Sequence, residues 1–395
     1  MASSSLIAAG AALLASAAPD AADAPVEPMQ AASDGTDESG PPFSFGASYT
    51  ADLWSNARGG IRRGMRYLDN LSVSAEADLD RLVGLGRTRA FASLLYNNGT
   101  HFSDALVGDA QTVSNIDTGV RALRVYEAWL EAGDPDRFSV KAGLYDLNSE
   151  FDAIESAHLF PNSAHGIGTD IGQTGVNGPS IFPVTSLAVR VSARLSPRWS
   201  VRIALLDGVP GDPDHPAATV IALRRGEGVL AIAEVERELP RGKILVGGWG
   251  YSARFAALDQ PDRQGRGNRG AYVRGEWRLL GTEARGLTGF VRLGTAAGRY
   301  NGFSRFLGMG IVAKGWLGGE TGIALAHAAT SPAARRADPG VVRRGETAIE
   351  LTYQRRLTRW LTVQPDMQYI VHPGADASLR NALVFGLRLI ATIGR

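Results

Sequence analysis

The chain has 395 residues, enough for one large barrel or for two ordinary domains. Its formal net charge of +1 gives no overall electrostatic indication of a nucleic-acid partner, and the absence of Cys excludes disulfides, thiolate metal sites and cysteine nucleophiles. A hydrophobic fraction of 44% together with 48 Gly favours many strands and turns over a helical bundle.

The N-terminal region predicts export. Residues 6–18 are apolar and small, and Ala15, Ser16 and Ala17 form an A-x-A cleavage pattern. The region before them is atypical for a signal peptide because the first basic residue is Arg58. We predict a signal peptide over residues 1–17, a disordered mature N-terminus over 18–42 and a barrel domain over 43–395.

From residue 43 onward the chain contains about sixteen amphipathic segments that alternate with a period of two. No stretch approaches the ~18 consecutive apolar residues that a spanning helix needs, so the chain is either soluble or a transmembrane β-barrel. The segments have the ~9–11 residues that a tilted strand needs to cross a bilayer, whereas strands of a soluble sandwich are usually shorter. The clearest segments are 43–53, 71–79, 187–195, 271–279 and 383–389. The segment RVYEAWLE from Arg124 has no consistent parity, which predicts a bulge or a shift at the pore wall.

The connections between these segments alternate between long and short. A membrane barrel has short turns at its periplasmic end and long loops at its extracellular end, so this alternation favours an outer-membrane barrel. The long gaps are residues 54–67, 98–119, 147–184, 208–226, 256–269 and 330–344, and the short gaps are 81–87, 132–136, 196–198, 239–242, 317–318 and 357–359. Aromatic girdle residues are expected at Tyr49, Trp199, Trp249, Trp277, Trp316, Trp360 and Tyr369.

The longest gap, residues 147–184, is the third external connection, and long structureless loops are usually functional. Ser149 followed by Asp152 predicts a short capped helix over residues 153–160. Phe160, Ile181 and Phe182 provide apolar anchors around a Gly-rich stretch. We predict that this loop folds into the barrel and narrows it; the alternative is an ordinary loop that faces outward.

Several long blocks resemble the carbohydrate-selective porin (OprB) family. The resemblance runs in order from about residue 49 to residue 389, and it is carried by YTADLWSNARGGIRRGMRYLDNL, RVYEAWLE, KAGLYDLNSEFD, GIGTDIGQTGVNGPSIFP, LLDGVPGDPDHP and AIELTYQRRLTRWLTVQPDMQYIVHPG. It implies a sixteen-stranded barrel in the outer membrane of a Gram-negative bacterium, through which monosaccharides diffuse passively without a cofactor. Implied partners are membrane lipid, lipopolysaccharide and neutral sugars, with a homotrimer as a candidate assembly and no nucleic acid. One departure is the ending LRLIATIGR, where family members commonly have a terminal aromatic residue.

A sugar path needs polar groups that match hydroxyl arrays and aromatic platforms that match ring faces, each binding weakly enough for release. The best candidates flank the third loop, on the fourth and fifth strands and at the loop entry. Residues of the first long gap are expected to add to the constriction. The candidate path residues are Arg124, Glu127, Trp129, Lys141, Tyr145, Asp146, Asn148, Glu150, Trp54, Arg62 and Arg63.

Other motifs and functions are weaker. The segment 207–216, with Asp207, Asp212 and Asp214, lacks the order of ligands of an EF-hand calcium loop and is better interpreted as a stiff external turn. An outer-membrane barrel enzyme would need a nucleophile motif such as G-x-S-x-G, which is absent. Within the channel class, a general non-selective porin is the alternative to a sugar-selective one.

Overall fold

The computed structural model describes residues 41–394. The predicted signal peptide, and the segment predicted to be disordered as far as residue 40, lie outside the described residues. No helix in residues 41–394 has the length and apolar character needed to traverse a bilayer.

Sixteen antiparallel strands form one closed barrel, and β1 pairs with β18 to close it. Two further short strands, β10 and β11, form a separate hairpin in the connection between β9 and β12. The predicted sixteen-stranded barrel is therefore confirmed. The strands are β1 Phe43–Gly60, β2 Gly64–Asp78, β3 Thr88–Asn98, β4 Arg121–Asp134, β5 Phe138–Tyr145, β6 Ser186–Ser196, β7 Trp199–Asp207, β8 Val229–Leu239, β9 Gly242–Tyr251, β10 Phe255–Ala257, β11 Gln260–Gly265, β12 Arg269–Gly281, β13 Gly286–Ala296, β14 Phe303–Trp316, β15 Gly319–Thr330, β16 Gly345–Arg356, β17 Leu361–Val371 and β18 Arg380–Gly394.

Helices are short and occur only in the connections. The α-helices are α1 Leu79–Val83, α2 Ser163–Gly166, α3 Thr169–Gly172 and α4 Pro332–Ala337. Short 3₁₀ segments cover Leu147–Ser149, Glu155–Leu159 and Pro373–Ala375, and a π-helical turn covers Ser103–Val107. The predicted capped helix at 153–160 is thus a 3₁₀ segment without a side-chain cap. The cap of this region lies earlier, where the Asp146 side chain accepts a hydrogen bond from the Asn148 N–H.

The connections divide the barrel into two unlike ends. At one end, here called the loop end, loop 2 (residues 99–120), loop 3 (146–185) and loop 4 (208–228) are long. At the opposite turn end, connections such as 197–198, 240–241 and 317–318 are tight. One predicted long gap is wrong: β1 continues to Gly60 and β2 begins at Gly64, so residues 61–63 form a short turn.

Alternation along the strands separates the outer and inner surfaces. Leu387 and the large apolar residues in equivalent positions face outward and are exposed, as predicted. The inward positions hold charged and polar side chains such as Arg388, together with apolar residues such as Ala382 and Val384 that pack against loop 2. The expected bulge in β4 is confirmed, since Ser93 pairs with Glu127 but Leu94 pairs with Val125. Among the predicted girdle aromatics, Trp249 is a correction, because it is buried in an internal apolar cluster.

Candidate functional site

Loop 3 lies inside the barrel, where carboxylates on the wall accept hydrogen bonds from its backbone. Glu234 on β8 accepts from the Asp152 N–H at 2.9 Å, and Glu276 on β12 accepts from the Ser156 N–H at 2.9 Å. Further round the wall, Glu350 on β16 accepts from the Asn162 N–H at 3.1 Å. An irregular segment has few internal partners for its N–H groups, so these acceptors make the inward position stable.

Two arginines on neighbouring strands hold the same loop from the wall. Arg292 on β13 contacts the Asp152 carboxylate at 2.7 Å and the Asp170 carboxylate at 2.6 Å. Arg274 on β12 donates to the Gly166 carbonyl at 2.7 Å. All of these charges are buried and paired, which is the condition under which buried charges are tolerated.

Apolar contacts complete the attachment of loop 3. The Phe160 ring lies 5.8 Å from the Phe290 ring of the wall and belongs to a buried cluster with Ile154 and Leu159. The Phe182 ring meets the Tyr126 ring edge-on at 6.2 Å. The predicted anchoring roles of Phe160 and Phe182, and the inward course of the loop, are confirmed.

Loop 2 also enters the barrel, which the sequence analysis did not predict. Glu346 on β16 accepts from the Ala110 N–H at 2.7 Å and from the Gln111 N–H at 2.9 Å. Arg388 on β18 donates to the Asn115 side chain at 2.8 Å. The two loops also contact each other, since the Asn115 N–H donates to the Pro161 carbonyl at 2.8 Å.

The contacts described above hold loops 2 and 3 against β8, β12, β13, β16 and β18, and the wall from β3 to β9 leaves space beside loop 3. A cavity of about 480 Å³ lies there, between the wall and residues 149–158 of loop 3, on the side of the turn end. This volume falls in the range of small-molecule sites, roughly 300–1,000 Å³. Its charged lining consists of six basic residues (Arg89, Lys141, Arg190, Arg194, Arg202, Lys243) and six acidic residues (Glu127, Glu131, Asp136, Glu150, Glu155, Glu236).

Many of these charges form one continuous chain of ion pairs. Glu150 of loop 3 contacts the Lys141 Nζ at 2.6 Å and the Arg190 Nε at 2.6 Å. Arg190 also contacts Glu131 at 2.8 Å, and Glu131 in turn contacts Arg89 at 2.8 Å. Arg202 pairs with Glu236 at 3.1 Å on the neighbouring strands. The cavity is therefore highly polar but has almost no excess of either charge.

Titratable groups of loop 3 differ in their response to burial. Burial would raise the pKa of Glu150, but the charges of Lys141 and Arg190 outweigh it and lower that pKa to about 2. Burial lowers the pKa of His158 to about 4, and the charge of Arg274 adds to this effect. At neutral pH, Glu150 is therefore an anion and His158 is uncharged.

Aromatic rings at the cavity are mostly covered. The Trp129 ring stacks on Phe91 with ring centroids 5.1 Å apart, and the Lys141 Nζ lies 3.9 Å from the Trp129 centroid. Only 4% of Trp129 is exposed. It therefore provides little open ring surface of the kind expected for a sugar platform.

Part of the predicted site is brought together. Four of the predicted residues line the cavity: Glu127, Trp129, Lys141 and Glu150. Tyr145, Asp146 and Asn148 lie behind it and shape the start of loop 3 instead. Asp146 accepts hydrogen bonds from the Tyr126 hydroxyl at 2.5 Å and the Asn148 N–H at 2.8 Å, and Asn148 donates to the Phe151 carbonyl at 3.1 Å.

The remaining predicted residues lie elsewhere. Trp54 is on β1, fully buried, and donates to Asp52 at 2.9 Å, so its placement in a first loop is wrong. Arg62 and Arg63 are exposed in the short turn at the loop end and do not line the cavity. Arg124 faces a separate pocket closer to the loop end.

Other charged residues of the site were not identified from sequence. Five charged residues on β3, β4, β6, β7 and β8 occupy inward positions at the cavity: Arg89, Glu131, Arg190, Arg202 and Glu236. The sequence pattern that could have identified them is a charged residue on the polar face of an alternating strand, as at Arg190 within LAVRVSARL. Alternation assigns such a residue to the lumen, but it does not reveal which strands of a barrel come closest to the loop.

Comparisons with known proteins give a consistent result. Residues 62–392 match the family described as carbohydrate-selective porin, OprB family. Porin B of Pseudomonas aeruginosa is 24% identical over 398 residues, covering 88% of this chain and 87% of that protein. The high-pH structure of Pseudomonas putida OprB has a TM-score of 0.77 at 20% identity, covering 89% of this chain and 94% of that one. A mutant porin of Rh. blastica has a TM-score of 0.54 at 9% identity, covering 89% and 100%.

Proposed function

Because the chain belongs to the carbohydrate-selective porin (OprB) family, it is an outer-membrane porin for carbohydrates, and we propose that its permeants are neutral monosaccharides that pass through the cavity beside loop 3. In a barrel with an even strand number, the tight turns face the periplasm and the long loops face the outside. The cavity then lies on the periplasmic side of loop 3. Members of this family are channels rather than enzymes.

The balance of charge around the cavity is the observation that carries this proposal. Lys141 and Arg190 are balanced by Glu150 and Glu131 in one cluster of ion pairs, so a permeating ion gains no net attraction from them. Donor and acceptor groups remain dense, and a sugar can exchange its water hydrogen bonds for them without binding tightly. We assign Glu127 as an acceptor and Lys141 as a donor for sugar hydroxyls.

A general, non-selective porin is the second candidate. It is favoured by the covered state of Trp129, because a site without an open aromatic face has less means of recognising a sugar ring. The two candidates differ in one respect that can be measured. A general porin passes sugars and small ions according to size alone, whereas the proposed channel prefers monosaccharides.

The assembly state remains a prediction. The homotrimer, a candidate assembly from the family resemblance, is supported by a cluster of polar groups on the outer wall, where the Tyr49 hydroxyl contacts the Tyr67 hydroxyl at 2.6 Å and Asp69 at 2.9 Å. A carboxylate facing lipid is unfavourable, so a protein neighbour would stabilise it. Mass measurement of the detergent-solubilised porin tests this prediction.

Liposome swelling tests the proposed function. Reconstituted porin should admit glucose several-fold faster than a neutral non-sugar solute of the same size at equal concentration. Glu127→Ala should slow glucose entry several-fold, because an acceptor is removed from the path, while the single-channel conductance in salt stays within about 30% of wild type.

Glu238→Ala is the matched control, since Glu238 is exposed at the periplasmic end of β8 and is not part of the cavity lining. It should leave glucose entry unchanged. Equal rates for glucose and the non-sugar solute of the same size would favour the general porin. Unchanged glucose entry in Glu127→Ala would remove Glu127 from the path.

A further inference from the structure

A second pocket, here called the outer pocket, lies at the extracellular end of the barrel. It has a volume of about 280 Å³ and is bounded by β4 and by loops 2, 3 and 4. It is separate from the cavity beside loop 3, because the two have no lining residue in common. Its lining includes Arg124, Asp212, Asn177, Ile181, Phe182 and Val184.

Arg124 is the unusual residue of this pocket. Only 3% of it is exposed, and its Nη2 donates to the Pro216 carbonyl. Its Nε and Nη1 atoms are buried and have no hydrogen-bond partner. Within residues 41–394, no carboxylate forms an ion pair with Arg124. A buried guanidinium without a counter-charge is costly, so this arrangement indicates an anionic ligand.

The one acidic residue of the pocket is already neutralised. Asp212 contacts the Arg224 Nη2 at 2.8 Å and the His215 Nδ1 at 3.1 Å, and it accepts from the Asp214 N–H at 3.1 Å. The hydrogen bond from Arg224, with those from His215 and Asp214, holds the pKa of Asp212 well below its usual range. Arg124 therefore remains the unmatched charge.

The walls of the outer pocket suit the body of a small sugar. Ile181, Phe182 and Val184 present apolar surface, against which the C–H face of a pyranose ring can pack. Thr118 and Asn177 supply polar groups near this surface. One positive charge beside an apolar wall matches a ligand with one negative charge and a ring, and guanidinium groups bind carboxylates well.

We propose that the outer pocket binds monosaccharides that carry a carboxylate, such as uronic acids, with the carboxylate on Arg124. The sugar part of this inference rests on the proposed function, whereas the anion part rests on Arg124 alone. The pocket would then enrich acidic sugars at the mouth of a channel whose inner cavity has balanced charge.

Binding to the detergent-solubilised, full-length porin tests the proposal. Calorimetric titration compares glucuronate with glucuronamide, which has nearly the same shape but no charge. Wild type should bind glucuronate at least tenfold more tightly. Arg124→Gln should abolish this preference, and Arg124→Lys should retain part of it.

Arg121→Gln is the matched control, because it removes an exposed positive charge from the same strand. It should keep the preference for glucuronate, and retarded mobility after heating verifies that every variant contains a folded barrel. Equal binding of the two ligands by wild type, or an unchanged preference in Arg124→Gln, would overturn the proposal. The two proposals fail in different experiments. If only the proposed function is wrong, liposomes show no selective glucose entry, while the Arg124-dependent preference for glucuronate over glucuronamide persists.

Discussion

Glu150 is the residue that joins loop 3 to the charged wall of the lumen. It contacts Lys141 on β5 and Arg190 on β6, and the Arg190 guanidinium forms a further ion pair with Glu131 on β4. A buried carboxylate with two cationic neighbours stabilises the folded state only while it is ionised. The attachment of this end of the loop therefore depends on pH.

The pH dependence has a definite sign. The pKa of Glu150 is about 2 in the folded protein, because Lys141 and Arg190 overcome the opposing effect of burial, against ~4.3 for a free Glu. Its stabilising contribution is fully present above pH ~4.5 and is lost as the pH falls towards 2. Glu150→Gln should reduce the free energy of unfolding at pH 7, and the two proteins should converge near pH 2.

Urea unfolding of the detergent-solubilised porin at several pH values measures this difference. Glu283→Gln is the control, since Glu283 is highly exposed in a turn and pairs only with a partly exposed Arg278. It should change stability by less than about 0.5 kcal/mol at every pH. A difference between wild type and Glu150→Gln that does not vary with pH would contradict the assignment.

At the scale of elements, sequence patterns predicted most strands and the inward course of loop 3, but not the role of loop 2. The segment 55–60 falls within the long gap predicted at residues 54–67, and it is polar and contains two glycines. In the structure it continues β1, and Asn56 faces inward to donate to the Leu106 carbonyl of loop 2 at 2.9 Å. A strand whose inner face contacts polar loops resembles a loop in its composition.

The partners of the cavity residues could not be predicted for a related reason. Arg190 and Glu131 are far apart in sequence, and their contact depends on the stagger of β4, β5 and β6. Alternation specifies the face of each side chain but not its height in the barrel. The residues predicted from sequence therefore include Glu150 at the entry to loop 3 but not Arg190, which contacts it.

Close packing of loop 3 against β15 leads to an element-scale prediction. A Cβ atom at Gly322 would lie 2.5 Å from the Phe160 ring and 2.9 Å from Leu159. Gly322→Val should displace this part of the loop and reduce stability by roughly 1–3 kcal/mol. Single-channel recordings should show a changed conductance with more current noise, because the loop is less firmly held.

Gly302→Ala provides the comparison, since a Cβ atom there meets nothing within 4 Å. It should leave both stability and conductance at the wild-type level. A Gly322→Val channel with unaltered conductance and stability would mean that Phe160 has room to move without disturbing loop 3.

The whole molecule is organised by opposite requirements on its two surfaces. Leu387 on β18 faces outward and is 42% exposed, whereas Ser72 on β2 occupies an inward position. Charged residues on the lipid-facing surface of a barrel cost about 2–4 kcal/mol near the bilayer midplane. Leu387→Arg should therefore make folding into lipid vesicles less favourable by that amount.

Ser72→Arg places the same side chain on the aqueous side of the wall. It should cost less than about 1 kcal/mol, because a lumen-facing guanidinium remains hydrated. Equal costs for the two substitutions would show that the surface around Leu387 is not in contact with lipid.

Closure of the barrel by β1 and β18 also constrains the order in which parts of the protein can fold. Asp52 on β1 contacts Arg388 on β18 at 2.8 Å, and Arg388 also binds Asn115 of loop 2. Strand β18 is thus needed both to close the barrel wall and to complete the contacts that hold loop 2. Long-range contacts of this kind form slowly. A chain whose β18 has not yet paired would therefore lack the Arg388 contact to Asn115, so we expect loop 2 to reach its final position only after the last strand is in place.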